Sequence, residues 1–235
     1  MMPLSMIERA KSLIKAAFPR GVRIYRRLRR GRDREDRVAG MQEIFSRIYV
    51  NNSWGDPESV SGRGSSLART RVIREALPVL LKNVGARSML DAACGDFNWM
   101  RGVELDGIQY IGCDVVAELI ALNQRLYGAE GRSFVVLDVT SAPVPKVDLI
   151  LCRECFIHFS FKDIAAAIAN FKRSNSTFLL ATTHVSVREN ENIQTGAWRS
   201  VNLQISPFNL PPPVRLITED PELGKCLGLW RLKEL

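Results

Sequence analysis

The feature that most constrains the fold is a regular alternation of short apolar runs and helical stretches that begins at residue 88. Apolar runs near 88–92, 109–113, 134–137, 148–152 and 177–182 are predicted strands, and stretches near 67–81, 97–104, 115–127 and 162–172 are predicted helices. This alternation is typical of a parallel sheet that is covered by helices on both faces.

The last part of the chain departs from this pattern. Two strand-like runs, Val214–Thr218 and Leu227–Leu232, follow a proline-rich segment and have no predicted helix between them. Such a pair is typical of an antiparallel hairpin at a sheet edge. We therefore predict an α/β fold, a Rossmann-like three-layer α/β/α sandwich with a mostly parallel seven-stranded sheet and an antiparallel edge hairpin at the C-terminus.

The excess positive charge is confined to the N-terminal part of the sequence. Residues 1–40 hold 12 Lys and Arg against 4 Asp and Glu, whereas residues 41–235 hold 21 of each. We predict a basic N-terminal arm over 1–40 and one domain over 41–235. A balanced domain argues against a catalytic face that grips a long nucleic acid, because that function needs a basic stripe on the domain itself.

The arm combines an amphipathic helical pattern over 4–18 with six arginines between 26 and 34. This combination favours peripheral contact with an anionic membrane through residues 4–34, with nucleic acid as a weaker option. The alternative is a solvated helix that packs loosely on the domain.

The cysteines favour a reducing compartment, and we predict a cytoplasmic protein, peripheral on the inner membrane face if the arm binds lipid. There are five, an odd number, and no apolar run has the length of a membrane span. Cys152 and Cys155 form a C-x-x-C pair without the second pair of ligands that a structural zinc site needs. We predict buried, reduced thiols and no metal.

Acidic and small residues collect directly after the predicted strands, where ligands bind in open parallel sheets. Asp91 and Asp96 flank the turn after the first strand, and Asp114 and Asp138 end the second and third strands. Asp114 follows Asp91 by 23 residues, a spacing typical of a carboxylate that accepts hydrogen bonds from ribose hydroxyls.

These acidic residues indicate which charge the ligand carries. A dinucleotide site needs G-x-G-x-x-G, but the turn has Gly95 alone, followed by Asp96, whose charge would repel a pyrophosphate. S-adenosylmethionine carries a sulfonium and no phosphate. An acidic site therefore favours that cofactor over NAD.

The segment Ser88–Asp96 resembles the first motif of class I S-adenosylmethionine-dependent methyltransferases, with one glycine where the usual loop has two or three. The longer pattern is similar to a bacterial group often linked to glycan and surface-polymer biosynthesis. Its matching stretches are 52–55, 61–65, 94–99 and 227–230. The resemblance implies a cofactor site made of Asp91, Ala93, Cys94, Gly95, Asp96, Asp114, Asp138, Val139 and Arg153.

Two histidines are candidates for the general base that an alcohol acceptor needs. His158 follows the fourth strand, and His184 follows the fifth. We favour His158, with Glu154 as a second catalytic candidate. The alternatives are a packed histidine at a helix start and an ion pair between Glu154 and a nearby arginine.

The polar loop 51–66 precedes a predicted helix, and it is predicted either to form an active-site lid or simply to cap that helix. Trp54, Trp99 and Trp198 are predicted either to wall the pocket or to pack in the core.

The sequence thus predicts a methyltransferase that methylates an oxygen of a glycan or small molecule. One alternative is an RNA or protein methyltransferase. Base methylation is disfavoured, because Cys152–Cys155 stands where many base-methylating enzymes have an N/D-P-P-Y/F element. Another alternative is a non-catalytic scaffold that keeps the fold.

Overall fold

The computed structural model describes residues 40–235, which contain a seven-stranded sheet in the order β3-β2-β1-β4-β5-β7-β6. The strands are β1 (Ser88–Ala92), β2 (Gln109–Asp114), β3 (Arg132–Val136), β4 (Leu149–Cys152), β5 (Phe178–His184), β6 (Arg215–Asp220) and β7 (Lys225–Arg231). Strands β1 to β5 run parallel, and β7 pairs antiparallel with β5 and β6. The predicted Rossmann-like α/β fold is confirmed.

Four α-helices accompany the sheet in the described residues: α1 (Met41–Val50), α2 (Arg71–Val84), α3 (Ala117–Tyr127) and α4 (Phe161–Arg173). Side chains of β1 alternate between two cores, because neighbouring strand residues point to opposite faces. Met89 packs with Leu77 of α2 and Ile120 of α3, whereas Leu90 packs with Ile164 of α4. Helices therefore cover both faces of the sheet, which gives three layers.

The predicted helix over 97–104 is wrong. This segment contains only a 3₁₀ turn over Met100–Gly102. Phe97 has a φ of 58°, which lies in the left-handed region and prevents an α-helix from starting there. The backbone N–H of Asn98 donates to the Asp96 carboxylate at 3.2 Å instead of joining a helix.

The C-terminal pair is an edge hairpin as predicted, but its second strand lies inside the sheet. β7 lies between β5 and β6, and its Trp230 is buried and donates from Nε1 to the carbonyl of Pro211 at 2.7 Å. In the β5–β7 register Lys225 pairs with His184. The hairpin turn therefore lies at the edge of the sheet where the parallel strands end.

The basic arm falls, up to residue 39, outside the described residues, so its predicted helix and membrane contact stay predictions. In the part that is described, no helix is long and apolar enough to cross a membrane. Cys152 and Cys155 are buried and free, and burial raises the pKa of the Cys152 thiol.

Candidate functional site

A cavity opens at the carboxyl ends of β1 to β4. Strands β2 and β3 lie on one side of β1, whereas β4 and β5 lie on its other side. The strand order reverses between β1 and β4, and the crevice forms there. Eight of the predicted site residues line it: Ala93, Gly95, Asp114, Asp138, Val139, Arg153, Glu154 and His158. Asp91, Cys94 and Asp96 are not among its lining residues.

The turn after β1 approaches the cavity through its backbone. Gly95 has a φ of 55°, and a Cβ at this position would collide with the hydroxyl of Ser61. A glycine is needed here because its left-handed conformation and close approach both exclude a side chain. The single glycine of this motif thus stands at a position with no room for a side chain.

Asp114 lies at the end of β2 with both carboxylate oxygens oriented by backbone groups. It accepts from the N–H of Val116 at 3.1 Å and from the N–H of Gly95 at 3.3 Å. Burial raises the pKa of Asp114, and these backbone bonds oppose the rise. A buried carboxylate held at the cavity wall suits the predicted role of accepting ribose hydroxyls.

Asp138 and Val139 line the cavity beyond β3. The Asp138 carboxylate accepts from the N–H and hydroxyl of Thr140 at 2.8 and 2.6 Å and from the hydroxyl of Ser141 at 3.0 Å. The side-chain amide of Asn170 donates to the carbonyl of Val139 at 2.8 Å. These bonds fix the turn that forms this wall.

Asp96 forms hydrogen bonds with the loop over 51–66 and does not line the cavity. Its carboxylate accepts from the hydroxyl of Ser59 at 2.8 Å, the N–H of Val60 at 3.0 Å and the hydroxyl of Ser61 at 3.1 Å. Val60 and Ser61 themselves line the cavity. Asp96 therefore ties the β1 turn to the loop, which favours the lid interpretation over simple helix capping.

Asp91 and Cys94 lie behind the turn. Asp91 is buried and accepts from the hydroxyl of Tyr110 at 2.8 Å. Burial raises the pKa of Asp91 to about 7, although the bond from Tyr110 opposes this rise. Cys94 packs in the core on the α2 side of the sheet.

His158 follows β4 and is held from two sides. Its ring stacks on Trp54, with ring centroids 4.7 Å apart and planes inclined by 28°. Its Nδ1 is 2.9 Å from the carbonyl oxygen of Ala197, which can only accept, so Nδ1 carries the proton and Nε2 has a lone pair. Burial lowers the pKa of His158, which favours this neutral form.

His184 is placed differently. It is buried at the end of β5 and is not among the residues that line the cavity. Its Nδ1 is 3.4 Å from the backbone carbonyl oxygen of Val201. Of the two predicted bases, the structure brings only His158 to the cavity.

Four charged side chains meet below the β4 edge of the cavity, and we call them the charge cluster: Arg153, Glu154, Glu219 and Lys225. Arg153 Nε donates to Glu219 at 2.9 Å, and Lys225 Nζ lies 3.5 Å from Glu154 and 3.6 Å from Glu219. Glu154 thus pairs with a lysine, not with its neighbour Arg153. Arg153 Nη2 and Glu154 Oε1 are buried without a hydrogen-bond partner among the described residues.

The three tryptophans that were predicted to wall the pocket or pack in the core have three different positions. Trp54 lines the cavity, Trp99 is buried with the Arg153 guanidinium 5.2 Å from its ring centroid, and Trp198 is 62% exposed. Each interpretation therefore holds for one of them, the pocket wall for Trp54 and the core for Trp99. Trp198 fits neither.

Sequence reasoning missed several residues of this site. Phe45 and Tyr49 of α1 line the cavity, and Glu219 and Lys225 come from the C-terminal hairpin. The predicted edge hairpin was the one available signal for the latter pair. A hairpin next to the fifth strand must place its turn near one end of that strand.

The geometry agrees with comparisons to known proteins. A methyltransferase domain family matches residues 89–175, which run from β1 to just beyond α4. No functionally curated protein matches the sequence.

Two solved structures share the fold. Human N-acetylserotonin methyltransferase, solved with SAM, superposes with a TM-score of 0.58 at 12% identity, over 82% of this chain and 60% of its own. The 1,6-didemethyltoxoflavin-N1-methyltransferase of Burkholderia thailandensis, solved with its substrate and S-adenosylhomocysteine, gives 0.55 at 17% identity, over 81% of this chain and 86% of its own. The chain thus spans less than two thirds of the human enzyme.

Residues 89–175 are thus similar to a methyltransferase domain, and the two solved structures of the same fold were obtained with S-adenosylmethionine or S-adenosylhomocysteine. The described residues fit this cofactor. Asp114, Asp138 and Glu154 face the cavity with one arginine, a set that tolerates a sulfonium and disfavours a phosphate. Gly95 brings bare backbone to the same wall, and Arg153 offers a buried guanidinium N–H that has no acceptor among residues 40–235.

Proposed function

We propose that this protein transfers the methyl group of S-adenosylmethionine to a hydroxyl oxygen of a small-molecule acceptor, with His158 as general base. The observation that carries the proposal is the tautomer of His158. Its Nδ1 proton is committed to the Ala197 carbonyl, so Nε2 is the nitrogen left with a lone pair for an acceptor proton. A base whose conjugate acid has a pKa near or below neutrality suits this task at pH 7.

Residues at different strands of the sheet have different roles in the proposed reaction. Asp114 and the backbone of Gly95 hold the nucleoside over β1 and β2, while Arg153 and Glu154 lie over β4 next to the transfer point. The bound cofactor supplies an electrophilic methyl group on a sulfonium. Positioning the acceptor oxygen in line with that methyl group accounts for much of the rate, because the two reactants are then held in near-attack geometry.

Other interpretations remain as proposals of lower rank. A glycan acceptor rests on sequence resemblance, and membrane contact rests on the charge of residues 4–34. RNA or protein methylation has no specific observation in its favour. A scaffold without activity is disfavoured by the tautomer of His158, because a scaffold has no use for an oriented base.

Isothermal titration of the full chain with S-adenosylmethionine and S-adenosylhomocysteine tests the cofactor. We expect micromolar binding that weakens about tenfold or more in Asp114→Ala, because hydrogen bonds to a charged group contribute about 1.5–3 kcal/mol. Asp106→Ala, an exposed aspartate away from the cavity, is the matched control. Failure of the folded wild type to bind either compound would reject the proposal.

A further inference from the structure

Aromatic rings form a continuous surface on one side of the cavity, which we call the aromatic wall: Phe45, Trp54, His158 and Phe159. Phe45 lies 6.3 Å from Trp54 and 5.9 Å from Phe159, measured between ring centroids, and Trp54 stacks on His158. All four residues line the cavity. Three separate parts of the chain thus contribute rings to one surface.

The aromatic wall lies away from the acids that suit the nucleoside. Phe45 belongs to α1, Trp54 to the 51–66 loop, and His158 and Phe159 to the turn after β4. Asp114 ends β2 and Asp138 follows β3, and both strands lie on the opposite side of β1 from β4. The cavity therefore has a polar half for the nucleoside and an aromatic half for the acceptor.

Several polar groups near the aromatic wall are already bonded within the protein. The hydroxyl of Ser61 donates to Asp96 at 3.1 Å and accepts from the Asp96 N–H at 2.9 Å. Nδ1 of His158 is likewise bonded to the carbonyl of Ala197. A sugar needs a bonding partner for most of its hydroxyls, because a buried polar group without one is costly.

We propose that the acceptor is a flat aromatic molecule with a ring hydroxyl, whose face lies on the aromatic wall and whose hydroxyl meets Nε2 of His158. This inference rests on the proposed function. An aromatic face gains from offset or edge contact with the rings of Trp54 and Phe45 beyond the apolar area it buries.

The transfer step balances with these groups alone. Nε2 of His158 takes the hydroxyl proton, and the acceptor oxygen forms a bond to the methyl carbon. The bond from that carbon to sulfur breaks with its electron pair on sulfur. The products are an aryl methyl ether, S-adenosylhomocysteine and a protonated His158.

Calorimetry on the full chain saturated with S-adenosylhomocysteine tests the acceptor class. The probes are 2-naphthol, its saturated analogue decahydro-2-naphthol, and methyl α-glucoside. We expect 2-naphthol to bind at least tenfold more tightly than either of the others. Trp54→Leu should weaken 2-naphthol about fivefold while S-adenosylhomocysteine binds as in the wild type.

The matched control is Trp198→Leu, at a tryptophan that is 62% exposed and off the cavity, and Phe45→Leu gives a second variant of the aromatic wall. Tighter binding of the glucoside, or equal losses in Trp54→Leu and Trp198→Leu, would overturn the aromatic acceptor and leave the methyltransferase intact. If S-adenosylhomocysteine does not bind, the proposed function fails first, and this inference fails with it.

Discussion

The imidazole of His158 lies stacked on the indole of Trp54, 4.7 Å between ring centroids, while its Nδ1 is fixed by the carbonyl of Ala197. The ring is thus held by a face contact and an edge contact at once. Both contacts leave Nε2 available for the proposed role as base. The proposed base and the loop that covers the cavity are therefore coupled.

His158→Gln should lower kcat by about 10²- to 10⁴-fold, the usual contribution of a general base, with little change in cofactor affinity. Burial lowers the pKa of His158 below 6.5, so the wild-type rate should fall only as the pH drops below that value and the imidazole becomes protonated. A pH–rate profile measures this. A profile that keeps its acid limb in His158→Gln would contradict the assignment, and His184→Gln, off the cavity, is the control.

Asp96→Ala should loosen the 51–66 loop, because three hydrogen bonds from that loop lose their acceptor. We expect faster limited proteolysis within the loop and a weaker effect on the melting temperature. The readout is the cleavage rate with and without S-adenosylhomocysteine. If Asp96→Ala is cleaved at the same rate as the control variant Asp106→Ala, the Asp96 carboxylate does not hold the loop.

Lys225→Met should destabilise the domain by about 3 kcal/mol, because it leaves two buried or half-buried carboxylates of the charge cluster without their shared cation. The Lys225 side chain is 9% exposed, and that of Glu219 is fully buried. Urea unfolding measures the loss. Adding Glu219→Gln should recover part of it, and the exposed Lys233→Met should change little. A loss equal to that of Lys233→Met would contradict a structural role for the charge cluster.

Asp91→Asn should stabilise the cofactor-free protein increasingly as the pH rises. The folded pKa of Asp91 is about 7 against 3.8 when unfolded, so between these values the folded state holds a proton that the unfolded state has lost. This contribution is present below pH 3.8 and is lost as the pH rises through 7.

The two proteins should therefore diverge by about 4 kcal/mol in unfolding free energy between pH 4 and pH 8, at 1.36 kcal/mol per pKa unit. Denaturant unfolding at several pH values measures the divergence. A constant difference, as expected for Asp106→Asn, would show that Asp91 stays ionised.

The parallel strands were predictable because their apolar runs are short, continuous and separated by helices. The region after β1 was not. Its predicted helix fails because Phe97 adopts a left-handed conformation and Asp96 turns toward a loop that lies some 35 residues earlier in the chain. Such long-range hydrogen bonds leave no periodic signal in the sequence.

Asp114, Asp138 and His158 were predicted from the strand ends and line the cavity, whereas Asp91 and Asp96 were predicted by the same reasoning and do not. Sequence alone ranked His158 above His184 by position, but it did not show which one faces the cavity. The structure places His158 at the cavity, and its Nδ1 is bonded to Ala197, 39 residues later in the chain. Glu219 lies 66 residues from Arg153, so the charge cluster depends on the sheet order.

The segment between β5 and β6, which contains Ala197, contacts the turn around His158 at more points than the Nδ1 hydrogen bond. Arg199 donates to the carbonyls of Phe156 and Phe159 at 2.6 and 2.7 Å, on either side of His158. Because this segment lies outside the sheet, it can detach in a partial unfolding event that leaves the sheet intact. On heating, the Nδ1–H tautomer of His158 would then be lost before the ellipticity of the domain falls. With His158 as the proposed base, the temperature of half-inactivation would lie below the melting temperature.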